Sequence, residues 1–253
     1  MIAPDLEKAR RFLAKHAAPN PLVAAVTGSH LYGFPSKDSD IDLKGVHCAP
    51  TADVVSMRPP QEAVDFLGDF EGTEIDYTSH ELGQALRLLM RGNGNILERL
   101  ASPLQVIASD DREELSRLGL GAISKKFYGH YRGFFGTMRD QHAKAEQKTA
   151  KGLLYCYRSA LTGIHLLRTG RVLCDVNRLG PEHGFPRVLR LAEAKQQGTE
   201  FGTIEDAAEY EEDLPRLETA LEESWRASTL PELPPNESAL SAYQVAMRRR
   251  FFA

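Results

Sequence analysis

A compact apolar run at residues 22–27 (LVAAVT) ends in Gly28-Ser29, and a second strand-like segment spans residues 39–48. This pair of segments constrains the fold more than any other feature of the chain. An apolar run of that length, bounded by turn residues, reads as a buried strand. The second segment alternates, with Ile41 and Leu43 set against Asp40 and Asp42. Side chains two apart on a strand share a face, so the two carboxylates point the same way, about 6.5–7 Å apart along it. Gly28 has no Cβ and lets another backbone or a phosphate come close. Ser29 is expected to begin a short helix, whose free N–H groups and hydroxyl suit a phosphate. A plain helix cap would use the same geometry.

The rest of the chain divides by period. Residues 4–17 read as an amphipathic helix with Leu6, Ala9, Phe12 and Leu13 on one face. Residues 49–60 hold three prolines and read as a loop. Residues 63–67 and 73–78 read as strands joined by a turn at 68–72, and 104–108 as a last strand. From His80 the spacing of Leu82, Leu86, Leu89 and Met90 suits a helix ending near Gly92, and residues 95–100 another. After about residue 110 helices dominate, at 124–148, 150–169, 186–197, 204–226 and 237–252. Strands early and helices late suggest an α/β (α+β) fold: a mixed sheet flanked by helices, then a helical C-terminal domain. The expected division is a catalytic domain at 1–110 and a helical domain at 111–253, with the active site in the cleft between them.

Composition excludes several classes. The net charge is −4, from 31 basic and 35 acidic residues, so the total does not indicate a strongly basic nucleic-acid binder, although a local basic face is compatible with it. Cys48, Cys156 and Cys174 form no CxxC pair, which argues against a disulfide scaffold or zinc knuckle and fits a reducing cytoplasm. No stretch approaches a membrane span, and the first residues lack the apolar core of a signal peptide. His80-Glu81 has no second histidine at HExxH spacing, so a zinc protease is not supported.

Chemistry concentrates at Asp40 and Asp42. Two like charges that close repel unless a cation lies between them. Mg²⁺ takes oxygen ligands and keeps nucleotide phosphates in its shell, so the pair reads as a place where Mg²⁺ (or Mn²⁺) meets a triphosphate. A third carboxylate is expected on a neighbouring strand, Asp76 first and Glu74 second, to hold metal and orient an attacking hydroxyl. Two metals about 3.5–4 Å apart would then stabilise the attacking and leaving oxygens of an in-line displacement.

Gly28-Ser29 … Ser39-Asp40-Ile41-Asp42 resembles the G-S … D-x-D signature of the DNA polymerase β nucleotidyltransferase superfamily. The longer pattern Gly28-Ser29-His30-Leu31-Tyr32-Gly33 … Ser39-Asp40-Ile41-Asp42-Leu43-Lys44-Gly45-Val46 is similar to the RNA-repair-pathway polymerase-β-like nucleotidyltransferases. The family's later acidic residue is matched by Asp76, its Asn-rich helix start and Glu by Gly92-Asn93-Gly94-Asn95 … Glu98, and its basic helix by Lys151 … Tyr155 … Arg158. The resemblance spans most of the first 170 residues. It implies transfer of a nucleoside monophosphate from an NTP to a hydroxyl, with an RNA or DNA end as acceptor. Asp40, Asp42 and Asp76 would be catalytic and metal-binding. Gly28, Ser29 and His30 would cradle phosphates, Lys151 and Arg158 would neutralise the triphosphate, and Tyr155 would stack on the base. Two departures stand out: His30 replaces the family's frequent Arg, a bidentate phosphate ligand, and Asn93-Gly94 replaces its usual Asn-Pro.

Blander readings run alongside. Asn95 and Glu98 also read as a helix-capping pair. Lys151, Tyr155 and Arg158 lie on one helical face and also read as a solvated stripe. In 124–148, Lys125, Lys126, His130, Arg132, Arg139, His142, Lys144 and Lys148 alternate with Tyr128 and Tyr131; this suits a nucleic-acid backbone or a solvated face. Arg248, Arg249 and Arg250 read as a charged helix end. Transfer to a protein or small molecule, and a non-catalytic antitoxin-like binding module, are the competing functions. The sequence leaves the oligomeric state open.

Overall fold

The computed structural model describes residues 2–198 and 207–252. In chain order its elements are α1 (Leu6–His16), β1 (Pro21–Val26), α2 (Gly28–Tyr32), β2 (Ile41–His47), α3 (Thr51–Val54), β3 (Ala63–Phe70), β4 (Thr73–Glu81), α4 (Leu82–Met90), α5 (Gly94–Ala101), α6 (Asp110–Leu120), α7 (Tyr128–Lys144), α8 (Ala150–Thr169), α9 (Val176–Glu182), α10 (Val188–Gln197), α11 (Ala207–Glu211), α12 (Asp213–Ala227) and α13 (Glu237–Arg250). They form two compact units. One comprises residues 3–28, 40–123 and 233–253; the other comprises 1–2, 29–39 and 124–232. Among the described residues, no helix is long and apolar enough to cross a membrane.

The first unit carries a mixed four-stranded sheet in the order β1-β2-β4-β3, with β2 and β4 parallel and the outer pairs antiparallel. Glu71 and Gly72 both take positive φ between β3 and β4, the backbone that a two-residue hairpin turn demands. One sheet face is apolar: Ala24, Val26, Ile41, Leu43, Ile75 and Tyr77 pack with Ala9, Phe12 and Leu13 of α1. Asp5 caps α1 by accepting from the Lys8 N–H at 2.8 Å. The expected strand at 104–108 is not an element of its own. It reduces to backbone bonds from Val26 to Leu104 and from Val106 to Ala24, a single bridge beside β1.

The carboxyl ends of β2 and β4 lead into buried polar contacts. His47 meets Ser79 at 3.0 Å, and Glu81 pairs with Arg248 at 2.5 Å while also capping α4 through the Gly83 N–H. Arg250 pairs with Asp111. The arginine run at the end of α13 therefore does more than complement a helix terminus: two of its three members hold that helix to this unit. The α5 cap also differs from expectation. Asn93, and not Asn95, accepts from the Ile96 N–H, and Glu98 lies buried inside the helix.

The second unit is helical and centres on α8, buried along nearly its whole length. α8 begins on a Thr149 cap and stops at Gly170, whose φ of 69° ends the helix in the left-handed conformation. Its core joins Leu153, Leu154, Leu161 and Ile164 to Phe135 of α7, Leu191 of α10, and Leu217 and Leu221 of α12. The helix expected at 204–226 corresponds to α11 and α12; residues 204–206 lie outside the described residues.

Gly163 sets the approach of three helices. A Cβ there would lie 2.7 Å from the Tyr131 Cβ and 2.8 Å from a Leu221 methyl. Alanine is better than glycine in a helix interior by about 1 kcal/mol, yet overpacking costs about 1–3 kcal/mol. Gly163→Ala is therefore expected to lower the urea midpoint despite its better helix propensity; a raised midpoint would show that α7 and α12 yield at no cost.

Candidate active site

The acidic face of the sheet lies opposite the apolar one, and strand register builds it. Asp42 on β2 is the direct parallel partner of Asp76 on β4, which in turn faces Leu67 on β3. Lys44 and Thr78, then Asp65, form the next row, and Glu74 faces Asp69 in the row before. The same face thus carries Asp42, Asp76, Glu74, Asp65 and Asp69 against one lysine. Asp40 immediately precedes β2, half-buried like Asp42 and Asp76. Neighbouring strands lie about 4.8 Å apart, so the Asp42 and Asp76 carboxylates are close neighbours.

Two contacts shape this group. Gly28 takes φ +59°, and a Cβ built on it would lie 1.7 Å from Asp42 Oδ2 and 2.5 Å from its Cγ. The group that comes close to Gly28 is therefore the Asp42 carboxylate itself. The Thr27 N–H donates to the Asp42 carbonyl at 2.8 Å, which fastens the end of β1 to the start of β2. Lys44 Nζ meets Asp76 Oδ1 at 2.7 Å and the Asp76 carbonyl at 3.2 Å. An ammonium thus rests on the third carboxylate. The i+2 spacing of Lys44 from Asp42 is the sequence signal for a cation on the carboxylate face. Glu74 shares the face of Asp76 one row away and is exposed.

The remaining predicted site residues belong to the helical unit. Ser29 is buried, and its hydroxyl has no hydrogen-bond partner among the described residues, so it does not serve as the plain helix cap. His30 is buried beside it. The connector at residues 33–39 is held by later helices: Asn177 and Gln196 both donate to the Gly33 carbonyl, and the buried Lys195 donates to Ser36 Oγ at 3.0 Å. On α8, Lys151 and Tyr155 are half-buried and Arg158 is fully buried. The Arg158 guanidinium lies 4.0 Å from the Tyr32 ring centre and 5.0 Å from that of Phe134. Tyr155 packs edge-on against Tyr32 and Phe34. Arg158 is thus an aromatic-caged cation, where a solvated stripe was the alternative expectation.

Part of the basic 124–148 region, which holds α7, is paired within its own unit. Lys125 pairs with Glu232, Arg139 with Glu218, and His142 with Glu211, while Tyr128 stacks on Trp225. Lys148 donates to the carbonyls that end α7.

His80 lies on the same sheet face as Asp76. Its ring nitrogen is 3.0 Å from an Arg99 guanidinium that also donates to the Gly45 carbonyl. Burial, reinforced by Arg99, lowers the His80 pKa from 6.5 to about 4. His47 is lowered as well, first by burial. The unfolded chain therefore takes up protons that the folded one refuses. Stability from these histidines is present above the unfolded pKa of 6.5 and is lost as pH falls toward 4. The urea midpoint is expected to fall over that window, and His80→Gln should flatten the decline; an unchanged profile in that variant would remove His80 as its source.

The profile of the RNA repair pathway DNA polymerase beta family matches residues 2–245. An uncharacterized protein of Methanocaldococcus jannaschii is 30% identical over 158 residues, which cover 61% of this chain and 63% of that protein, just under two thirds of its length. A nucleotidyltransferase-like protein from Exiguobacterium sibiricum aligns over 98% of this chain and 80% of its own, at 13% identity and a TM-score of 0.35.

Proposed function

The chain belongs to the RNA repair pathway DNA polymerase beta family, and on that premise we propose that it is an NTP-dependent nucleotidyltransferase of the cytoplasm, with its catalytic centre on the acidic sheet face. The observation that carries this reading is the alignment of Asp42 with Asp76 across parallel strands, beside a glycine whose missing Cβ makes room for the Asp42 carboxylate. An all-carboxylate donor set fits a hard divalent cation. Asp40, Asp42 and Asp76 would hold Mg²⁺ or Mn²⁺, which when bound supplies charge neutralisation to the triphosphate and the leaving pyrophosphate.

The chain's own groups do the rest. An acceptor hydroxyl oxygen forms a bond to the α-phosphorus as the bond to pyrophosphate breaks, and Asp76 orients that hydroxyl and receives its proton. Lys44 neutralises Asp76 until a nucleotide arrives. The Ser29 hydroxyl, buried without a partner, is suited to a phosphate oxygen. His30, Lys151 and Tyr155 add nucleotide contacts, and Arg158 lends its charge from within the aromatic cage. In this reading the sheet unit is the catalytic domain and the helical unit its companion.

The leading acceptor is an RNA or DNA end. A protein or small-molecule hydroxyl is the second reading, and one observation favours it: Lys125 and Arg139, two of the six lysines and arginines of the 124–148 region that would track a polynucleotide, are paired with glutamates. Incubation with each α-³²P-labelled NTP, divalent metal and RNA, DNA or protein acceptors separates the two. Label should move to one acceptor class with the wild type, and Asp40→Asn should reduce transfer by about 10²-fold or more with unchanged circular dichroism. Near-normal turnover in that variant would remove Asp40 from the metal centre. Absence of both transfer and calorimetric NTP binding in the wild type would leave the non-catalytic binding module.

A further inference from the structure

Three ligating side chains of the helical unit converge. His165 comes from the last turns of α8, Glu182 ends α9, and His183 follows it. His165 Nδ1 lies 3.1 Å from Glu182 Oε1 and 3.2 Å from His183 Nε2, and His183 Nε2 lies 3.9 Å from Glu182 Oε1. Bonds of about 2.0–2.1 Å at a tetrahedral centre separate ligand atoms by about 3.3–3.4 Å. Two edges of the triangle lie close to that value and the third needs a small turn of the exposed Glu182 side chain.

Hydrogen bonding alone accounts poorly for this group. Arg168 Nη1 stands 3.5 Å from His183 Nδ1 and Arg168 Nε donates to Ser224 Oγ. If His183 accepts from Arg168, its Nε2 carries the proton and donates to His165 Nδ1. That nitrogen is then an acceptor facing a second acceptor, Glu182 Oε1, at 3.1 Å; were it instead a donor to Glu182, it would face the His183 Nε2–H. A cation at the centre would satisfy all three lone pairs together. We propose that His165, Glu182 and His183 bind one Zn²⁺-class transition-metal ion, with a fourth position left for water or an incoming donor.

The surroundings select the ion. Arg168, Arg171 and Arg178 act on the two imidazoles against the single carboxylate of Glu182. The local field therefore does not attract cations, and affinity must come from the nitrogen ligands, which favour Zn²⁺ over Mg²⁺ or Ca²⁺. Burial is the first cause lowering both histidine pKa values, against the opposing pull of Glu182. The site joins the end of α8 to the end of α9.

Calorimetric titration of the full chain with ZnCl₂ in millimolar Mg²⁺ tests this, since Mg²⁺ would occupy the carboxylate face in the function proposed above. The wild type should bind one Zn²⁺ and melt at a higher temperature with it. His183→Ala and Glu182→Gln, both changes at a helix end, should weaken binding by about 10-fold to 100-fold or more with unchanged circular dichroism. Asp42→Asn should bind Zn²⁺ like the wild type. The proposal is overturned if the wild type takes up no Zn²⁺, if both variants bind it unchanged, or if Asp42→Asn abolishes uptake.

Discussion

Parallel pairing of β2 with β4 sets the position of every carboxylate on the sheet face, because side chains in register on adjacent strands share that face. A shift of one residue would turn Asp76 into the apolar core and bring Ile75 or Tyr77 out. The burial of Ile75 and Tyr77 against α1 therefore fixes the chemistry on the opposite side. Core packing and site geometry are two faces of one constraint. The β3–β4 hairpin turn at Glu71-Gly72 helps to hold that register by fixing where β4 begins.

The carboxylate group is also balanced from within. Lys44 shares the face of Asp42 and reaches Asp76, so acidic residues that would repel one another have a resident counter-charge. Asp76 is partly open to solvent, so solvent screens the pair on that side. His80 and Arg99 cover the other end of the same face with a neutral ring and a buried guanidinium.

Much of this was legible in the sequence. β1 and β2 show as an apolar run and an alternating one; Gly28, Asp40 and Asp42 stand out by spacing, and Asp76 is the residue expected, ahead of Glu74, on a neighbouring strand. What escaped depends on partners far along the chain. Glu218 and Glu211 partner Arg139 and His142 across separations of 79 and 69 residues, which no local pattern marks. The segment at 104–108 has the composition of a strand but pairs only through a bridge beside β1. Asn93 and Asn95 are equally good caps by type, and backbone conformation alone chose the first. His165 lies 18 residues from His183, outside any compact ligand motif, and only the return of α9 to α8 brings them together.

The order in which the two units are threaded has an evolutionary consequence. The sheet unit is assembled from three segments of chain, and the helical unit occupies the intervals between them, including the connector that separates Gly28 from Asp40. No single crossover can exchange either unit between relatives as a cassette. The residues of the glycine turn and those of the acidic pair are consequently inherited together with the helices that hold residues 33–39, and this lineage is expected to diversify by substitution within a fixed chain path and not by shuffling of modules.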